Sequence, residues 1–169
     1  MEFTDSATKI VRLNIGDDMA RELLASLILV NLGKSRLSSN IISRQVTSYE
    51  KELPQVIDTL NKMKDITRQM VVRVLAGDVK ELGVLLSEEW VLKRSLDKHI
   101  SNSMIDRFHD AMIKHGAIGG KLVGAGEGGH MLFLSDLSKR AKLLEFVGVC
   151  GFHYVPFNFD NQGVQAWAI

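Results

Sequence analysis

Residues 116–134 read Gly116-Ala117-Ile118-Gly119-Gly120-Lys121-Leu122-Val123-Gly124-Ala125-Gly126-Glu127-Gly128-Gly129-His130-Met131-Leu132-Phe133-Leu134. Seven of the chain's 14 glycines fall between 116 and 129, and the segments 121–123 and 130–134 on either side have strand character. Glycine tolerates positive φ and lets backbone N–H groups converge without a Cβ in the way. The stretch therefore predicts a strand-loop-strand whose loop is either a phosphate cradle or a tight turn between close-packed strands.

Working outward, a helix from Ser101 or Asn102 buries Ile105, Phe108 and Met112 and stops at Gly116. Before it, Asp78 followed three positions later by Glu81 predicts a capped helix with Val79, Leu82, Leu86 and Trp90 on one side. In 54–76 Pro54 suits a first helical turn, Val56, Leu60, Met63, Ile66, Met70 and Val74 recur at spacings of three and four, and Gly77 closes the run. Ser35 is expected to cap a helix through Tyr49. The apolar run Leu27-Ile28-Leu29-Val30, after a helical 21–26 and before Gly33, predicts a buried strand, and the alternation over 9–15 predicts another, with Asp17 as a helix cap. Downstream, 137–147 reads as a helix capped by Ser135 or Asp136, and 154–159 and 165–168 as strands. Strands at both ends around a block of helices predict an α+β fold, an antiparallel sheet packed on one face by helices.

The whole chain has 169 residues, 46% hydrophobic and 24% charged, which suits one globular domain. That length can bury roughly 70% of the surface of the unfolded chain, so a core forms without disulfides or structural metal. With 21 Lys plus Arg against 20 Asp plus Glu, no overall field attracts nucleic acid or an anionic membrane. Any anion site is local. A single cysteine, Cys150, excludes an intramolecular disulfide and goes with a reducing compartment; with neither a signal pattern nor a membrane span, a cytoplasmic protein is expected. Cys150 itself is expected to be buried and inert. His99, His109, His115, His130 and His153 lack the spacing of a helical metal site, so no metal is assigned. Lys139, Arg140 and Lys142 read as a solvated helix face.

Three glycine signatures fail here. Gly124, Gly126 and Gly129 match GxGxxG, but a strand follows where the dinucleotide fingerprint needs a helix. A protein-kinase glycine loop would need downstream HRD and DFG sequences, which do not occur. Gly33-Lys34-Ser35 imitates the end of a Walker A loop, yet Ile28 stands where its first glycine belongs.

The stretch from Gly119 to Gly129 resembles the third conserved motif of the GHMP kinases, the galactokinase, homoserine kinase, mevalonate kinase and phosphomevalonate kinase family. The likeness extends over most of the chain. Leu29 to Gln45 resembles the strand-loop-helix that opens the C-terminal half of the sugar-kinase branch, Trp90-Val91-Leu92-Lys93-Arg94 and Ser101 to Ile105 the helical segment before motif three, and Pro156-Phe157-Asn158-Phe159 with Gly163 the last strands. Within the family it is most similar to heptose 7-phosphate kinases, then fucokinases. Glu127 departs from the family's usual glycine and is expected to point outward, and the family's Gly-Leu-Gly-Ser-Ser-Ala phosphate loop occurs nowhere in the sequence.

The resemblance implies a C-terminal, substrate-side kinase half over 1–169 with a ferredoxin-like core, the ATP-binding half lying outside it. ATP and Mg²⁺ are implied for the complete enzyme and none for this chain alone. No catalytic residue is assigned. Gly124, Ala125, Gly126, Gly128 and Gly129 are the implied phosphate-side residues, and Lys121 and Arg36 are candidates for the acceptor's phosphate or hydroxyls. For Arg36 a surface ion pair is the alternative. The implied partners are a sugar or sugar-phosphate substrate and the N-terminal half, with a homo-oligomer open through the inter-lobe face and neither nucleic acid nor membrane. The competing reading is a non-catalytic anion-binding or assembly module that keeps the fold.

Overall fold

The computed structural model describes residues 1–33, 39–160 and 162–167. Along the chain run β1 (Glu2–Phe3), β2 (Thr8–Lys9), α1 (Asp17–Ser26), β3 (Leu27–Asn31), α2 (Ser39–Glu50), α3 (Pro54–Ala76), α4 (Val79–Leu96), α5 (Ser103–Lys114), β4 (Ala117–Val123), β5 (His130–Ser135), α6 (Leu137–Val149) and β6 (His153–Tyr154). β1 and β2 form a separate small ribbon. The main sheet has the order β4-β5-β3-β6, antiparallel throughout. Counting only its strands, the chain runs β, helices, β, β, helix, β, which is the split βαβ arrangement of a ferredoxin-like core. The α+β expectation therefore holds.

Register follows from apolar residues on alternate positions. Ile28 pairs with Phe133 and Val30 with Met131, while Leu122 also faces Met131, so these side chains share one face. That face is covered by Ile105, Phe108 and Met112 of α5 and Leu143 and Val147 of α6, with Trp90 of α4 and Ile100 completing the core. Leu27 and Leu134 point the other way and meet Val79 and Leu82 of α4 in a smaller cluster. α4 crosses β4 so closely that a Cβ on Gly119 would lie 1.7 Å from the Gly83 carbonyl oxygen.

Helix ends obey local chemistry. Pro54 opens α3 without needing an N–H partner, and Gly77 closes it at φ 72°. Asp78 Oδ1 accepts from the Glu81 N–H at 3.0 Å, and Asn102 Oδ1 accepts from Met104 and Ile105. α1 is capped by Gly16 instead of Asp17, and Asp136 caps α6 without a side-chain hydrogen bond.

Three strand expectations fail. The alternation at 9–15 yields only β2, with Ile10 and Val11 exposed; 154–159 is strand only at Tyr154, with the Val155 N–H still donating to Leu29 O at 2.8 Å; and 165–167 is not a strand. Alternating apolar residues make a strand only where a neighbour completes the ladder, and among the described residues none pairs with 10–15, 156–159 or 165–167. Position 168 and the Ser35 cap lie outside the described residues. On α4 it is Leu85, not Leu86, that is fully buried. Cys150 is exposed, because the helix that carries it ends there at the surface.

Candidate functional site: the glycine loop

Val123 and His130 form the last pair of the β4–β5 ladder, and six residues between them reverse the chain. Gly124, Gly126, Gly128 and Gly129 have φ of 82°, 140°, 134° and 87°, and Glu127 joins them at 62°. Values near 140° are closed to residues with a Cβ, so this path requires glycine. Gly126 is needed twice over, since a Cβ there would stand 2.8 Å from Ile100 Cα; at Gly124 it would meet nothing. Gly119 and Gly120 serve packing alone: a Cβ on Gly120 would come within 2.2 Å of the Phe133 ring.

Two backbone bonds moor the loop. The Glu127 N–H donates to Ile100 O at 3.0 Å, and the Leu32 N–H donates to Gly129 O at 2.8 Å. The N–H groups of Gly124, Ala125, Gly126, Gly128 and Gly129 take part in none of the backbone hydrogen bonds of the described turns and loops. Beside them is a cleft of about 490 Å³ lined by Leu29, Asn31, Gly33, Val123, the glycines and His130. Among the described residues His130 is the only ionisable side chain on it, and Asn31 supplies a carboxamide whose Oδ1 accepts from the Gly33 N–H at 2.7 Å. With backbone donors, an imidazole and no carboxylate among its described residues, the lining suits an anion better than a hard metal ion. Among the described residues no group of three His, Cys, Asp or Glu side chains could hold a metal.

Glu127 stays off the cleft. It lines a separate polar hollow with His99, Ser101 and Asn102, its Oε1 3.9 Å from His99 Nδ1. Nearby, burial alone would raise Asp106, but hydrogen bonds from Ser101 and Arg94 outweigh it and hold the carboxyl below its ordinary range. Asp97 is depressed in the same way, burial being outweighed by Arg44 and the His99 N–H.

Lys121 does not open into the cleft. Its ammonium pairs with Glu89, a buried carboxylate of α4, because the Lys121 row of β4 faces that helix. Arg36 lies outside the described residues. Two features were not foreseen: Asn31 and His130, which face each other across β3 and β5 at the cleft, and the buried Glu89. A carboxamide closing an otherwise apolar strand was the available signal for Asn31; burial of Glu89 left none, since acidic residues abound on helix surfaces.

Residues 70–149, from the end of α3 through α6, match the family model described as GHMP kinases C terminal. The chain is 27% identical over 170 residues to a D-glycero-alpha-D-manno-heptose 7-phosphate kinase of Campylobacter jejuni, aligning all of this chain and 50% of that protein. It is 29% identical over 136 residues to a bifunctional fucokinase/GDP-fucose pyrophosphorylase of Arabidopsis thaliana, 80% of this chain and 13% of the other. The chain thus spans half or less of these curated relatives. Among solved structures, L. major mevalonate kinase with R-mevalonate shares the fold at a TM-score of 0.69 and 20% identity, over 76% of this chain and 40% of that one. No helix among the described residues is long and apolar enough to cross a membrane. By sequence over residues 70–149 and by fold over most of its length, this chain is similar to the C-terminal domain of the GHMP kinases.

Proposed function

We propose that this chain, as one domain over 1–169, is the acceptor-side half of an ATP-dependent sugar-phosphate kinase of the heptose 7-phosphate kinase type. It works with an N-terminal half that carries the nucleotide's phosphate loop. The observation that carries this reading is the loop 124–129, whose positive-φ glycines and unclaimed N–H groups border one cleft. GHMP kinases in general use ATP and Mg²⁺. The donor set of the cleft fits a phosphate group and does not fit Mg²⁺, so the contribution of this half is to bind and orient. Phosphoryl transfer rests on positioning and on meeting developing negative charge, which fixed backbone donors do without reorganisation. In this reading Gly124, Ala125, Gly126, Gly128 and Gly129 supply those donors, with the His130 imidazole beside them on the same cleft.

The likeness to a heptose 7-phosphate kinase along the whole chain supports a phosphorylated sugar as acceptor. Ile42, Val46 and Tyr49 recur on α2 at spacings of four and three and are all exposed, which suits a face covered by the other half. With one cysteine in the sequence, a reducing, cytoplasmic setting goes with this reading. The second reading, an anion-binding or assembly module, draws on the absence of a Gly-Leu-Gly-Ser-Ser-Ala loop from these residues.

A coupled ADP-release assay with heptose 7-phosphate, fucose and galactose separates the two. Alone the chain is expected to show no turnover. Mixed with a separately produced phosphate-loop half it is expected to phosphorylate heptose 7-phosphate in preference to the other sugars. Turnover by the chain alone that survives repurification overturns the half-enzyme reading; a stable two-half complex without turnover favours the module.

A further inference from the structure

Lys93 sits in the last turns of α4 and reaches the point where β4 gives way to the loop. Its Nζ donates to Leu122 O at 3.1 Å and to Gly124 O at 2.5 Å. A lysine ammonium has three donors, and two of them are spent on backbone carbonyls two residues apart. Keeping a cation there is costly: burial, and then the Lys121 charge, lower its pKa, with Glu89 one helical turn back opposing them. The arrangement is explained by what it holds. In a trans peptide the N–H and C=O point in opposite directions, and no peptide bond among the described residues is cis. Capture of the Gly124 carbonyl therefore turns the Ala125 N–H, the first unclaimed donor after Gly124, away from Lys93. Further along, Ile100 O takes the Glu127 N–H and Gly129 O takes the Leu32 N–H, so the loop is pinned at three places with its remaining donors left over.

We propose that Lys93 is the positioning residue of the glycine loop, holding the Gly124 peptide so that the loop's free N–H groups are oriented before a phosphate group arrives. It acts through that peptide and touches no ligand. The inference rests on the reading of the loop as an anion cradle.

The test is an amide NMR titration of the whole chain with inorganic tripolyphosphate, comparing wild type, Lys93→Met and Lys93→Arg, with hydrogen exchange of residues 124–129 measured in the absence of ligand. Lys93→Met is expected to speed exchange across the loop and to weaken tripolyphosphate binding by about tenfold, one lost charge-assisted hydrogen bond being worth that much. Resonances of α5 and α6 should not move. Lys93→Arg, which can still donate to both carbonyls, should restore most of the affinity. Wild-type binding retained in Lys93→Met overturns the proposal, as does unchanged exchange in the loop. If wild type does not bind tripolyphosphate, the cradle reading falls while exchange alone still judges the lysine. If Lys93→Met does not fold, Lys93→Gln takes its place, and collapse of both variants overturns positioning in favour of a purely structural lysine.

Discussion

At the scale of single residues, the glycines of one loop have unequal duties. Gly126 is hemmed in by Ile100 and Ile41, whereas Gly124 has open space and is constrained only by its φ of 82°. Gly126→Val is therefore expected to destabilise the domain by about 3 kcal/mol, from overpacking and strain together, read as a lower midpoint in urea unfolding. Gly124→Asn, which tolerates the left-handed region, should cost about 1 kcal/mol or less. A β-branched residue at 126 thus cannot separate ligand approach from stability, and Gly124 is the position that can. Glu89 presents a different balance. Its side chain is 10% exposed and that of Lys121 24%, so Glu89→Gln strands a half-buried ammonium. The expected loss is roughly 2 kcal/mol, below that of a fully buried pair because Lys121 still reaches water. A midpoint unchanged in the Gln variant would show that the pair holds nothing.

At the scale of elements, α4 and β4 are matched by the absence of side chains. Gly119→Ala would drive its methyl into the Gly83 carbonyl, and backbone there cannot yield without lifting the helix from the sheet. That variant is expected not to fold, judged by loss of near-ultraviolet circular dichroism, while Gly16→Ala, at an open site with ordinary φ, should stay within about 0.5 kcal/mol of wild type. α5 depends on its cap: Asn102→Ala removes the acceptor for two N–H groups and should cost about 1 kcal/mol. Beside it, Asp97 and Asp106 tie the 97–106 segment to Arg44 and Arg94. Both have folded pKa values below the unfolded carboxylate value of about 3.9. Their stabilisation is complete above that value and disappears as pH falls through the depressed folded values. Asp97→Asn and Asp106→Asn should each flatten the fall in stability below about pH 4, measured by urea midpoints at pH 7 and pH 3.

At the scale of the whole molecule, the fold is a scaffold that brings chain-distant segments to one cleft. Leu29 and Asn31 come from a strand formed early in the chain, and the glycine loop and His130 from residues about a hundred positions later. The α2 stripe of Ile42, Val46 and Tyr49 faces out. If that face receives the other half, replacing all three by Ser, Thr and Gln should leave the isolated chain's thermal midpoint within about 2 °C and abolish complementation in the two-half assay. Sedimentation of the unaltered chain at high concentration checks the alternative, since self-association removed by the same triple replacement assigns the stripe to a second copy of this chain.

Local chemistry accounts for what could be read from the amino acids alone. Helices α3 to α5 announced themselves through apolar spacing and through Pro54, Gly77, Asp78 and Asn102, because caps and periodicity depend on residues within a few positions of one another. The same holds for the glycine loop, whose composition dictates its backbone angles. Strands were legible only where a partner later proved to exist: Leu27–Asn31 has β5 and β6 beside it, while 10–15 and 165–167 have no ladder to join. Tertiary structure alone decided that Lys121 is taken up by Glu89, that Lys93 reaches the Gly124 carbonyl, and that Asn31 and His130 meet at the cleft. These are contacts between residues tens of positions apart in sequence, and only the packing of helix on sheet sets which side chains come within reach.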